Sequence, residues 1–134
     1  MELGSVIDSI KEPLKCRGYK KKNTTWYKVS DNLTIVFNIQ KSQYSSDVWY
    51  YNFGIGINEL EDKPITTITR CHITERLDMK MNGKEIAPDI LYQAVISWEN
   101  KYGNLNELRT KALENKLPKS TTKQAITYLT FLTE

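Results

Sequence analysis

LTIVFNIQKS, residues 33–42, alternates apolar and polar side chains with a period of two. In a strand, successive side chains leave opposite faces, so Leu33, Ile35, Phe37 and Ile39 share one side and Thr34, Val36, Asn38 and Gln40 the other. Both flanks can be laid against it. Upstream, Asp31-Asn32 suits a two-residue hairpin turn because both residue types tolerate positive φ. A strand Thr24–Ser30 then pairs Ser30 with Leu33, Lys28 with Ile35, Trp26 with Phe37 and Thr24 with Ile39. This register puts Trp26 across from Phe37 on the apolar side. Downstream, Val48–Asn58 has the same parity: Trp49, Tyr51, Phe53, Ile55 and Ile57 alternate with Tyr50, Asn52, Gly54, Gly56 and Asn58. Matching the apolar sides of these strands fixes their register, since a one-residue slip would turn every side chain over.

After Pro64, Ile65–Leu77 is expected as a fourth strand, with Ile65, Cys71, Ile73 and Leu77 on the apolar side and Ile68, Arg70, His72 and Arg76 on the other. Asn82-Gly83 marks a further hairpin turn. The remaining segments have a helical period. Leu3, Val6, Ile7, Ile10 and Leu14 predict a first helix, loosened near Pro13 and ended by Gly18. Leu91, Ala94, Val95, Trp98 and Tyr102 predict a second, from Pro88 to Gly103. Asn104 with Glu107 predicts a capped third helix carrying Leu105, Leu108 and Ala112 inward and broken by Pro118. Thr121 with Gln124 predicts a fourth, with Ala125, Ile126, Leu129 and Leu132 inward. The expectation is one α+β domain over residues 1–134: an N-terminal helix, an antiparallel meander of about four strands, and about three C-terminal helices.

The composition is that of a soluble globular chain, 40% hydrophobic and 26% charged over 134 residues. No apolar run reaches the ~20 residues of a membrane helix. The first residues, MELGSVIDSIKEPLKC, lack the pattern of a secretory signal, so a cytoplasmic location with Cys16 and Cys71 reduced is expected. The net charge of +3 is unevenly placed, with eight Lys/Arg against four Asp/Glu in residues 1–41. Lys11, Lys15, Arg17, Lys20, Lys21 and Lys22 form the excess, which suits either a solvated helix end or an acidic surface. This reading argues against nucleic acid, because the parity argument sends Trp26, Trp49 and Tyr51 into the core and leaves only Tyr27 and Tyr50 for stacking.

A search for chemistry returns no catalytic residue, metal site or cofactor motif. His72 is the sole histidine, which removes His-rich metal sites and His relays within one chain. Cys71 beside it reads as a buried structural thiol. Gly54-Ile55-Gly56 lies within a strand and not at a strand-to-helix junction, so it is no phosphate loop. Glu59, Glu61 and Asp62 lack calcium-loop spacing. The candidate surface is the polar sheet face: Asn38, Gln40, Asn52, Arg70, His72 and Arg76, a floor of Gly54 and Gly56, and the strand exit Lys41-Ser42. Amides supply donors and acceptors, arginines hold carboxylates or phosphates, and glycines let a ligand or another backbone come close. An ordinary wet sheet face, or one covered by the C-terminal helices, has the same composition.

Residues 18–57 contain Gly18-Tyr19-Lys20-Lys21, Trp26-Tyr27, Asn38-Ile39-Gln40-Lys41-Ser42 and Tyr50-Tyr51-Asn52-Phe53-Gly54, followed later by Arg76-Leu77. In these the chain resembles the bacterial domain of unknown function 4304 family over roughly its first 80 residues. The resemblance implies a small bacterial cytosolic domain and transfers no activity. The functional expectation is a non-catalytic binding module for a protein partner, of the toxin-neutralising or regulatory kind. The alternatives are a small anionic-ligand binder or enzyme using Arg70, His72 and Arg76, and weak nucleic-acid binding through Lys20–Lys22.

Overall fold

The computed structural model describes residues 3–41, 49–77 and 88–131. In chain order these form α1 (Leu3–Cys16), β1 (Lys20–Lys22), β2 (Thr25–Val29), β3 (Leu33–Lys41), β4 (Trp49–Ile57), β5 (Ile73–Leu77), α2 (Pro88–Tyr102), α3 (Leu105–Leu113) and α4 (Lys123–Phe131). The strands make one antiparallel sheet in sequence order. The α+β class is as expected. Asn82-Gly83 and Ser42 lie outside the described residues.

The central register follows from the alternation. Trp26 pairs with Phe37 and Lys28 with Ile35, and the Ser30 N–H closes the turn onto the Leu33 carbonyl at 2.8 Å. Between β3 and β4, Leu33 faces Ile57, Ile35 faces Ile55, Phe37 faces Phe53 and Ile39 faces Tyr51. All eight of these side chains are buried. Helices α1 and α2 cover this face with Val6, Ile10 and Leu14, and with Leu91, Val95, Trp98 and Tyr102; Leu108, Ala125 and Leu129 complete the core. A chain of rings runs through it, Trp26–Phe37–Phe53–Trp98–Tyr102, with centroid separations of 5.6, 5.2, 5.7 and 4.5 Å.

Several boundaries differ from expectation. A fifth strand appears because Lys20–Lys22 pairs with Thr25–Tyr27 around Asn23, whose φ of 56° is left-handed. Its three exposed lysines guard a sheet edge against further pairing. The expected fourth strand is only β5. Ile73 pairs with Ile55 and β4 ends at Ile57, so a continued ladder would run out at Cys71. Residues 65–72 leave the sheet, with a 3₁₀ turn at Ile68–Arg70. Helix α1 runs through Pro13 to Cys16, and Gly18 turns the chain away beyond it at φ 101°. Asn104 caps α3 as expected, its side chain accepting the Glu107 N–H at 3.1 Å. That helix stops before Pro118, with Asn115 at φ 58°. The cap of α4 is Thr122, whose Oγ1 accepts the Ala125 N–H at 3.1 Å; Thr121 instead donates to the Pro118 carbonyl. Ile126, expected inward, is 42% exposed.

One polar tie crosses the helical layer. Glu99 on α2 receives Arg17 Nε at 3.2 Å and Nη2 at 3.0 Å, Tyr19 OH at 2.8 Å and Lys28 Nζ at 3.4 Å. Burial pushes its carboxyl pKa up, but the hydrogen bonds from Arg17 and Tyr19 and the charge of Lys28 outweigh burial and leave it below the usual carboxylate range.

Candidate functional site

The outer face of the sheet, opposite α1 and α2, divides into a covered half and an open half. Residues 65–71 cross it as a strap. Ile65 and Cys71 bury themselves against Val36, with Tyr27 and Ile68 packed alongside. Ile65 and Cys71, expected on the apolar side with Trp26 and Phe37, therefore lie on the other side. The two glycines make room for them. A Cβ at Gly54 would come within 2.6 Å of Cys71 Sγ and 2.7 Å of Ile68 Cδ1; at Gly56 it would meet Ile65 Cδ1 and Cγ2, the latter at 2.9 Å. Gly54 and Gly56 are thus no ligand floor, because the chain's own strap occupies it. Replacing Gly56 with alanine is expected to cost about 1–3 kcal/mol through overpacking. Ile65→Val, which removes the clashing Cδ1, should recover part of that loss in urea denaturation of the double variant. Buried between the strap and the sheet, the Cys71 thiol is pushed up to about 12 by desolvation, as befits a packing residue and not a nucleophile.

His72 and Arg70 also leave the expected face. His72 is 5% exposed, and its Nδ1 accepts the Ile57 N–H at 2.9 Å, which caps the end of β4. Its carbonyl receives the Thr122 N–H at 2.9 Å, tying the start of α4 to the sheet. Its Nε2 lies 4.0 Å from Glu61, which also meets Arg70 Nε at 3.5 Å. Burial holds the imidazole pKa below its ordinary value, against the opposing pull of Glu61. A proton on Nδ1 would remove the acceptor that Ile57 uses. The neutral form therefore carries the stability: it is present in full above the unfolded pKa of about 6.5 and is lost as the pH falls through the lower folded value. Urea midpoints should fall as the pH drops below about 6.5, more steeply than in His72→Asn, which keeps an acceptor and does not titrate.

The open half assembles four of the expected residues. Asn38 Nδ2 donates to Thr25 Oγ1 at 2.9 Å, and Asn52 Nδ2 donates to Asn38 Oδ1 at 3.0 Å and Gln40 Oε1 at 3.2 Å. Arg76 closes the chain, with Nε to Asn52 Oδ1 at 2.9 Å and Nη2 to Gln40 Oε1 at 3.1 Å. Its guanidinium carbon lies 4.5 Å from the Tyr50 ring centroid, a cation–π stack. The order of the amides follows from register, since Asn38 pairs with Asn52 and Asn52 with Arg76. Arg76 is exposed yet held by two amide oxygens and a ring, so its orientation is set before any partner arrives. Beside it opens a groove of ≈ 470 Å³, bordered by Gln40, Asn52, Thr74, Glu75, Arg76 and Ser120 and, on the strap side, by Ile68, Thr69 and Cys71. Ser120 joins this border by hydrogen bonding to the Thr74 carbonyl and hydroxyl. Lys41 is exposed at the strand exit. The contribution of Thr69 and Ser120 has no local sequence signal, because it depends on where the strap and the α3–α4 connection cross the sheet. Tyr50 was readable from the parity of β4.

Compared with known families, residues 10–129 match the domain of unknown function DUF4304. The chain belongs to the DUF4304 family. The match reaches beyond the first 80 residues into α4, so the C-terminal helices are part of the DUF4304 domain. No curated protein and no solved structure matches the chain. Among the described residues, no helix of this DUF4304 chain is long and apolar enough to cross a membrane.

Proposed function

We propose that this DUF4304 chain is a non-catalytic module, cytoplasmic in a bacterium, that binds a protein partner on the open half of its outer sheet face. The supporting observation is the Arg76 assembly: an exposed guanidinium fixed by Asn52 and Gln40 and stacked on Tyr50, on the face that α1 and α2 leave free. Arginine and tyrosine are the residue types that dominate binding energy at protein interfaces, and a pre-ordered arginine loses little entropy on docking. The partner surface that fits is a loop offering carboxylates or carbonyl oxygens. Toxin-neutralising and regulatory proteins belong to this class. An anion clamp built from Arg70, His72 and Arg76 finds less support, since Arg70 and His72 are committed to Glu61 and Ile57.

Site-specific photo-crosslinking tests the proposal. A benzophenone amino acid placed at exposed Lys41 or at Thr69 in cells should trap one discrete partner, and Arg76→Glu should abolish the adduct without lowering the melting temperature by more than a few degrees. The same crosslinker at exposed Glu114 on the α3 end should trap nothing. Equal trapping from Glu114, or an adduct indifferent to Arg76→Glu, would refute it.

A further inference from the structure

A guanidinium carries its N–H donors in a fixed plane, and the sheet uses only one edge of that plane at Arg76. Nε donates to Asn52 Oδ1 at 2.9 Å and Nη2 to Gln40 Oε1 at 3.1 Å, which fills the side-on pair. The end-on pair, Nη1 with the second Nη2 hydrogen, has no acceptor among the described residues. The amides are locked in this sense. Asn38 Nδ2 lies 2.9 Å from Thr25 Oγ1 and 3.4 Å from the Thr24 carbonyl, which can only accept, so Asn38 turns its oxygen to Asn52. Asn52 then gives its amino group to Asn38 and its oxygen to Arg76. The Tyr50 ring, 4.5 Å from the guanidinium carbon, fixes the plane.

Charge narrows the ligand further. Arg76 is the one cation bordering the adjoining groove. Glu75 also borders it, but Glu75 pairs with Phe53, so its side chain starts from the opposite sheet face, and it makes no ion pair with Arg76. A single planar fork with one positive charge matches a carboxylate, whose two oxygens accept two parallel N–H bonds. A phosphate ester carries nearly twice that charge and calls for further cations. Resting on the docking surface proposed above, we infer that the group this surface recognises is an aspartate or glutamate side chain of the partner. It sits end-on on Arg76, and Gln40 and Asn52 act as positioning residues for the fork.

Gln40→Glu separates recognition from structure. The new side chain keeps an oxygen for Asn52 Nδ2 and Arg76 Nη2, and the amino group it replaces donates to no described residue. The sheet loses no hydrogen bond, but a carboxylate now neutralises the fork and repels an incoming acid. Arg76→Lys keeps the charge and removes the fork. With a benzophenone amino acid at exposed Thr69 in cells, each variant should reduce the parent's adduct at least about tenfold. Both melting temperatures should stay within a few degrees of the parent. Mass spectrometry of the adduct gives the partner segment, and changing one aspartate or glutamate in it to the amide should cause the same loss with the parent chain. No adduct with the parent overturns the docking surface and this inference with it. An adduct that survives Gln40→Glu, Arg76→Lys or every such amide change, or that is lost on phosphatase treatment, overturns the acidic side chain alone and leaves the docking surface standing.

Discussion

Phe37→Ala is expected to lower the stability of this DUF4304 chain by about 3–5 kcal/mol, the range for emptying an aromatic site that cannot collapse. Phe37 is fully buried at the middle of β3. Its ring meets Trp26 at 5.6 Å, Phe53 at 5.2 Å and Tyr51 at 6.3 Å, so its loss leaves three large rings each facing a void. None of these can move in to fill it, because each is held in the sheet ladder by its own backbone. Phe37→Leu retains most of the volume and should cost less than half as much. Val29→Ala, at a position 58% exposed, should stay within about 0.5 kcal/mol of the parent. Equilibrium urea denaturation of the three variants measures the difference.

Glu99→Ala is the second large effect, about 2–4 kcal/mol at neutral pH. Removing this carboxylate strands the Tyr19 hydroxyl on a residue 3% exposed and takes from the Arg17 guanidinium its carboxylate partner. It also releases α2 from Lys28 on β2. The pH dependence separates this loss from simple truncation. The folded pKa of Glu99 lies below its unfolded value, so its contribution is present above the unfolded pKa and disappears as the pH falls through the folded one. The parent and Glu99→Gln should therefore differ most near pH 7 and converge under acid conditions. A constant difference across that range would show that the hydrogen bonds to the ionised carboxylate contribute nothing.

How much of this was legible depends on which period governed each segment. In residues 33–42 the period of two is unbroken, and from it follow the turn at Asp31-Asn32, the Trp26–Phe37 pair and the three-strand register. The helical stripe from Leu91 to Tyr102 was equally clear. The strap was missed because Ile65, Ile68 and Cys71 recur every three residues and were forced onto an alternating pattern. A spacing of three is that of the 3₁₀ turn found there. The two glycines on one face of β4 were the matching signal, read as room for a ligand when they are room for these side chains. β1 was missed because three lysines have little strand propensity by themselves and pair only through the Asn23 turn. Of the expected surface, Asn38, Gln40, Asn52 and Arg76 converge because strand register carried them. Arg70 and His72 diverge because they precede the strand on which parity arguments hold. Glu99 was invisible, since its partners Arg17 and Tyr19 are some eighty residues away.

The central claim is that the strap seals one half of the outer face and leaves the Gln40–Asn52–Arg76 half open. Thiol labelling tests it most directly, because Cys16 and Cys71 are the only cysteines. In a Cys16→Ser background, native Cys71, 8% exposed on the strap side of the groove, should react much more slowly in native buffer than in the unfolded chain. A cysteine introduced as Gln40→Cys should react at once in native buffer. Rapid native labelling of Cys71, or protection of Gln40→Cys, would contradict the division of the face on which the proposed docking surface rests.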